Sequence, residues 1–215
     1  MEQVLTIISN LTYVALALIA LWGAFCVILV WNRVAKVRFK NEDAQIEFLD
    51  ELDEPLEKGD FDAAGEICDA NPKAMPQLCL LAIENRKLGF AKVKGLLVER
   101  FQRDILTDLE FRINWVNTVI KSAPMIGLFG TVLGMMAAFA KLAGAGDGAA
   151  PDPTALANDI SFALITTALG LTIAIPLIIS LADINIRIRK MEDLVSSGMT
   201  RFMETFKDAL RNEYK

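Results

Sequence analysis

The sequence predicts an all-α integral membrane protein with three transmembrane helices and long helices extending into the cytoplasm. Three observations carry this. Of 215 residues, 53% are hydrophobic and the mean hydropathy is +0.38, too apolar for an ordinary soluble domain of this size. The excess is concentrated in three charge-free runs, residues 3–32, 122–140 and 160–182, and each reaches the roughly 20 residues a helix needs to cross a bilayer core. The 22 Lys and Arg residues are unevenly placed: thirteen lie in 33–112 and seven in 187–215, with none in residues 1–12 or in 142–159.

That charge pattern sets the topology. Basic residues favour the cytoplasmic side, so the amino terminus and the connector between the second and third runs are expected outside, the central segment and tail inside. The predicted segments are 1–32 (outer amino terminus and first span), 33–117 (cytoplasmic helical domain), 118–142 (second span), 143–158 (outer loop), 159–183 (third span) and 184–215 (cytoplasmic C-terminal helix). A secretory signal would carry a basic start and a shorter apolar run. Here Glu2 is the only charge before Arg33, which reads as an uncleaved span.

The first span is apolar all round and reads as lipid-facing, with Trp31 an interfacial anchor. In the central segment Ile46, Leu49, Leu52 and Leu56 recur at helical spacing, Lys58-Gly59-Asp60 breaks the pattern, and a short helix over Ala63 to Ala70 follows. After Pro72 and Pro76, apolar positions recur at Leu97, Phe101, Ile105, Leu109, Ile113, Val116 and Ile120 with no intervening Pro or Gly. That predicts one continuous helix from Leu96 to Leu142, about 70 Å long at 1.5 Å per residue. The stripe itself needs only packing against neighbouring helices. The Gly-, Ala- and Pro-rich connector predicts an irregular loop, with Asn158 or Asp159 capping the next helix.

The second and third spans differ from the first in carrying small and hydroxyl residues on one face: Gly127, Gly130, Thr131, Gly134 and Ala138 in one, Ala163, Thr166, Thr167, Gly170 and Ala174 in the other. Such stripes let helix backbones approach closely, and tight packing explains the glycines. The threonines admit two readings. Thr131 is ten residues past Lys121 and Thr167 eight past Asp159, hence about 15 Å and about 12 Å from opposite boundaries, both near mid-bilayer. Several subunits facing a lumen would set them in rings at one level; a lone helix pair would instead turn them onto its own carbonyls. Pro124 and Pro176, near the cytoplasmic ends, would kink or start helices. Asp183 is placed to pair with Arg187 one turn on.

Composition excludes several classes. A net charge of −5 and a pI near 4.9 argue against nucleic-acid binding. The absence of histidine removes the commonest general base and most zinc sites, so neither an enzyme nor a metal is expected. Cys26, Cys68 and Cys79 form no disulfide or metal framework and read as reduced, buried thiols. No cofactor is predicted. No charged side chain lies in any of the three runs, so the chain offers no proton-carrying carboxylate within a span.

The run Ala123-Pro124-Met125-Ile126-Gly127-Leu128-Phe129-Gly130-Thr131-Val132-Leu133-Gly134-Met135, followed by Phe139, resembles the MotA/TolQ/ExbB proton-channel family. A second motif supports it independently: Ile160-Ser161-Phe162-Ala163-Leu164-Ile165-Thr166-Thr167-Ala168-Leu169-Gly170-Leu171, then Ala174-Ile175-Pro176. Weaker similarity from Lys58-Gly59-Asp60 through Pro72 extends the likeness over roughly 56–182. Three spans and a modest cytoplasmic domain resemble the ExbB and TolQ branch more than MotA.

The resemblance implies a ring-forming homo-oligomer in the bacterial inner membrane, five-fold, with a periplasmic amino terminus and loop and a cytoplasmic tail. Its second and third spans would line a lumen holding two copies of a single-span ExbD/TolR-like partner, whose aspartate carries protons. Proton flow would drive transport across the outer envelope, or, in a TolQ-like version, envelope integrity. By position, Thr131 and Thr167, with Thr166 beside them, match the pore lining, while Gly127, Gly130, Gly134 and Gly170 pack the helices. One departure is plain. The ExbB and TolQ pattern has a glutamate where this chain has Phe162, so an ExbB-type proton path through this subunit is in question, and Asp159, a turn nearer the outside, is the candidate entrance carboxylate. MotA-like members also lack that glutamate and rely on the partner. The competing reading is a non-conducting membrane scaffold paralogue with its small-residue stripes packed shut; an intramembrane enzyme trails for want of a nucleophile and base.

Overall fold

The computed structural model describes residues 2–144 and 152–213. Among the described residues seven α-helices follow one another: α1 Glu2–Val37, α2 Glu42–Glu57, α3 Phe61–Asp69, α4 Ala74–Glu84, α5 Phe90–Arg100, α6 Thr107–Gly144 and α7 Pro153–Glu213. A 3-10 turn occupies Arg86–Leu88 and a π-helical turn Phe101–Leu106. Among the described residues there is no strand, and three helices are long and apolar enough to cross a membrane. The chain divides into two compact units, Met1–Ile28 with Ile113–Ala182, and Leu29–Arg112 with Asp183–Lys215.

In the first unit the helices pack through small side chains and leave large ones outward. Leu16, Val116, Val119, Ala123, Ala163 and Ala174 are buried, whereas Leu21, Met125, Phe129, Phe139, Leu164 and Ile179 are exposed. An apolar surface of that extent suits lipid or another apolar helix, not water. The expectation that α1 faces lipid all round does not hold. A Cβ on Gly23 would sit 2.8 Å from both Leu177 and Val119, Tyr13 meets Phe162 edge-on at 5.1 Å, and Trp22 meets Trp115 at 6.2 Å. One face of α1 is therefore a packing face, built from a glycine and aromatics rather than from an evident stripe.

The predicted outer connector narrows at both ends. Of residues 143–158, α6 takes 143–144 and α7 takes 153–158, while 145–151 lie outside the described residues. The cap of α7 is Asp152, not Asn158 or Asp159: its Oδ1 accepts the Thr154 N–H at 2.9 Å. Pro153 then occupies the first helical position, where its missing N–H costs nothing.

The second unit is a helical cluster with a conventional apolar core. Leu49, Leu52 and Leu56 of α2, Ala64 and Cys68 of α3, Leu78 and Cys79 of α4, Val93 and Leu97 of α5, and Phe202 and Phe206 of α7 are all buried. Phe202 and Phe206 stack at 5.4 Å and Phe61 meets Phe206 edge-on at 6.3 Å. The break read at Lys58-Gly59-Asp60 is present. Gly59 has φ +75°, which a side chain resists, and Asp60 caps α3 by accepting the Ala63 N–H at 3.0 Å. Pro76 does not break a helix; it lies in the first turn of α4, where no intrahelical N–H bond is lost.

Polar locks fix α7 within this unit. Gln45, buried, donates from Nε2 to the Leu194 carbonyl at 2.6 Å. A Cβ on Gly198 would collide with that amide. Arg201 bridges Asp50 and Asp53, the latter at 2.6 Å, and the two carboxylates hold its guanidinium pKa above the usual arginine range. Arg187 pairs with Asp183 at 2.7 Å, as the spacing predicts.

The helix read as continuous from Leu96 is interrupted in its hydrogen-bond ladder by the π turn at Phe101–Leu106. The reason lies in the stripe. Steps of four from Leu97 to Leu109 add twelve residues, which an ideal α-helix would rotate about 120° out of phase. A π turn absorbs about one extra residue, and Leu97 and Leu109 are both buried.

Two expectations follow for this unit. Burial pushes the Cys79 thiol well up from its ordinary range, helped by the adjacent Cys68, so a water-soluble alkylating reagent at pH 8 will label neither cysteine in the native state. Phe206→Ala removes two ring contacts and a buried side chain, costs about 3–5 kcal/mol, and will make both thiols reactive in a pulse-alkylation experiment read by peptide mass spectrometry.

Candidate functional site

The site is the antiparallel contact between α6 and α7 inside the first unit. It is built on the absence of side chains. A Cβ on Gly127 would lie 2.7 Å from the Thr166 carbonyl oxygen and 3.0 Å from the Thr167 Cα. One on Gly134 would meet the Asp159 carbonyl oxygen and the Ala163 Cβ at 2.8 Å, and one on Gly170 the Ala123 carbonyl oxygen at 2.7 Å and the Pro124 Cα at 3.2 Å. At Gly130 the collision would be with the Thr166 side chain. At Gly127, Gly134 and Gly170 a Cβ would meet facing main chain, and at Gly130 it would meet a side chain, so all four are places of close helix approach.

The threonines divide into different roles. Thr166 is 0% exposed, and its Oγ1 donates to Ala163 O at 2.9 Å, with Gly127 O 3.3 Å away. Expected beside the pore, it is sealed between the two helices of one chain by the close approach its glycine neighbours allow. Thr167, half-buried, donates to the same Gly127 carbonyl at 3.1 Å. Thr131, also half-buried, turns back on its own helix and donates to Leu128 O at 2.6 Å. Within one chain the hydroxyls thus turn onto main-chain carbonyls, those of Thr131 and Thr166 on their own helices and that of Thr167 across to α6.

Pro124 and Pro176 start no helix; both lie within continuous helices, α6 and α7. Pro124 takes part in the seam at Gly170, and the carbonyl of Pro176 accepts the Ser180 hydroxyl at 2.8 Å. Phe162 fills its position with a ring against Tyr13 of α1.

Asp159 does not stand alone. Its Oδ2 lies 2.7 Å from Lys141 Nζ, with the two side chains only 19% and 34% exposed. This partner was not among the residues singled out from sequence. A signal existed, since Lys141 follows Gly134 by seven residues and Asp159 precedes Thr166 by seven, which puts both on the seam faces one rung beyond the glycines. Ala123 and Tyr13 were missed for the simpler reason that a carbonyl contact and an aromatic edge leave no spacing pattern.

The arrangement orders two helices, presents hydroxyls and main-chain carbonyls, and places an ion pair at one end. It has hydrogen-bonding capacity but no titratable group along the hydroxyl-bearing stretch. A single methyl group tests the seam. Gly127→Ala forces a Cβ against main chain and will cost about 1–3 kcal/mol, whereas Gly95→Ala, with nothing within 4 Å, will be neutral or stabilising by up to about 1 kcal/mol. Thermal unfolding in detergent separates the two.

Residues 91–197 match the profile of the MotA/TolQ/ExbB proton channel family. Three curated proteins illustrate the likeness. A putative biopolymer transport protein ExbB homolog of Methanothermobacter thermautotrophicus is 31% identical over 163 residues, covering 74% of this chain and 54% of that one. The Tol-Pal system protein TolQ of Haemophilus influenzae is 39% identical over 87 residues, 40% of this chain and 37% of that one. A putative biopolymer transport protein ExbB-like 2 of Helicobacter pylori is 37% identical over 95 residues, 44% and 59% respectively. The matches span between about a third and three fifths of these relatives' own lengths. With three apolar helices of spanning length, this is a multi-pass membrane protein. The chain belongs to the MotA/TolQ/ExbB proton channel family, in its ExbB/TolQ-like branch.

Proposed function

We propose that the chain is a ring-forming motor subunit of the bacterial inner membrane that couples proton-motive force to energised transport at the outer envelope. Five copies surround an ExbD/TolR-like single-span partner, with the amino terminus and connector periplasmic and the second unit and tail cytoplasmic. The observation that carries this reading is the composition of the α6–α7 hairpin. It joins hydroxyls and the main-chain carbonyls that accept from them with no ionisable side chain along the same stretch. Such a lining hydrates and passes a proton without holding one, so the carboxylate that takes up and releases the proton belongs to the partner.

Thr131 and Thr167 are the lining residues in this proposal. Thr166 serves the seam, the four glycines hold the hairpin closed, and Pro124 and Pro176 set the helix courses near the cytoplasmic ends. Phe162 stands where the ExbB and TolQ pattern has glutamate, packed against Tyr13. Asp159, paired with Lys141, is the entrance carboxylate in this proposal.

A TolQ-like role in envelope integrity uses the same machinery with another load. A non-conducting scaffold is favoured by a different observation: the Thr166 and Thr167 hydroxyls are both near the Gly127 carbonyl, so the seam itself is closed.

Mild extraction from the native membrane followed by native mass spectrometry tests the assembly. A five-subunit species retaining a small single-span, Asp-bearing protein is expected; a monomer or dimer without such a partner after cross-linking refutes the ring. With the complex in proteoliposomes, Thr131→Val and Thr167→Val will lower proton flux, and Phe162→Glu will raise it. Flux indifferent to all three, or absent from the wild type, moves the assignment to the scaffold.

A further inference from the structure

The residues that follow the first and third apolar runs converge on a cationic cavity within the second unit. It measures about 140 Å³, and three cations line it, Arg38, Lys40 and Arg187, against an apolar wall of Trp31, Val34 and Phe39. No carboxylate is part of that lining. A neighbouring cavity of about 380 Å³ shares Arg38 and Lys40 and adds Lys190, together with two carboxylates, Glu42 and Asp193.

The cations are held in place before any ligand arrives. Arg38 donates from Nε to Phe39 O at 3.0 Å and from Nη2 to Lys40 O at 3.1 Å, which fixes it at the carboxyl end of α1. Arg187 is oriented by Asp183 at 2.7 Å and lies over the Trp31 ring at 4.2 Å. Lys73 adds positive charge 4.1 Å from the centroid of the Phe39 ring. Asp183 offsets one of these charges, leaving the lining net positive.

Position decides what such a cavity takes. Trp31 is two residues before the first charge after the opening apolar run, and Arg187 is five residues after the third run ends. Both therefore fall at headgroup depth, where Trp is the preferred anchor and basic side chains attract anionic lipid. A soluble anion needs the cations but not the indole and phenyl wall; a lipid uses both.

We propose that this cavity binds the phosphate-bearing headgroup of an anionic phospholipid. The proposal rests on the membrane spans and not on the motor reading, so either can fail without the other. Lys40 is exposed and Lys190 is exposed, so replacing them removes charge without opening the core.

The test titrates the purified full chain in neutral detergent with short-chain phosphatidylglycerol, counting bound copies by native mass spectrometry. Phosphatidylcholine with the same tails is one control and inorganic phosphate another. One phosphatidylglycerol per chain is expected, weakened about fivefold by Lys40→Gln and about 25-fold by Lys40→Gln with Lys190→Gln, from about fivefold per cation. Phosphatidylcholine should bind at least as weakly as the double variant does phosphatidylglycerol. Equal affinity for the two lipids would reduce the cavity to a groove for acyl chains. Affinity unchanged in both variants, or inorganic phosphate displacing the lipid at matched concentration, would equally overturn the lipid assignment.

Discussion

Main-chain contact between α6 and α7 is the constraint on which the membrane part of this protein depends. In lipid the hydrophobic effect supplies no force between helices, so association rests on van der Waals contact and interhelical hydrogen bonds. Both require the backbones to be close. At Gly127, Gly134 and Gly170 the facing main-chain atoms leave no room for even a methyl group. The same proximity puts the Gly127 carbonyl within reach of the Thr167 hydroxyl. Removing side chains on one face has a counterpart on the other, where Met125, Phe129, Val132, Phe139, Leu164 and Ile179 are presented outward. The hairpin is thin on the inside and bulky on the outside, a shape made for apolar surroundings.

Much of this was legible because it depends on composition along one helix face. Charge-free runs mark the three long apolar helices, and the glycine periodicity marks the faces on which α6 and α7 meet. What failed to appear has a common physical character: it depends on the second helix. Thr166 and Thr167 are adjacent hydroxyls in the sequence and differ only in which side of α7 they occupy. One is sealed against α6 and the other remains half-buried. The Lys141–Asp159 pair likewise needs two helices in register before either charge acquires a meaning. The π turn at Phe101–Leu106 is a different case, since the repeated spacing of four exceeded the 3.6 residues of an α-turn and already contained the discrepancy. Asp152 was passed over as a cap because Asn158 and Asp159 stood nearer the apolar run, although Pro153 beside it marks a helix start.

The second unit is held together differently. Its core is made of Leu, Phe, Met and Cys buried in the ordinary way, and its helices are tied by polar bonds that a membrane interior would make costly: Arg201 to two aspartates, Gln45 to a main-chain carbonyl. Arg201 is partly solvated, so its pairs contribute modestly and serve chiefly to fix register. Gln45 is different. Its amide is buried and satisfied, and the space it occupies is the space a side chain at residue 198 would need. Glycine thus recurs on α7 in both units for one reason, close approach, with backbone on the other side at Gly170 and a side-chain amide at Gly198.

The distribution of ionisable groups finally limits the chemistry. A proton crossing a bilayer needs groups to hydrate it and at least one that changes charge state. The α6–α7 seam carries hydroxyls at Thr131 and Thr167 and no group of the second kind along the stretch that bears them. The position at which the ExbB and TolQ pattern has a carboxylate is filled by Phe162, whose ring lies edge-on to Tyr13. An aromatic pair there contributes packing and excludes water, so a negative charge at that position would have to displace the contact. The charge nearest to it in sequence is Asp159, which is paired with Lys141. Along the described stretch the seam therefore offers packing and hydrogen-bonding groups, and the ionisable groups at its end are already joined to each other.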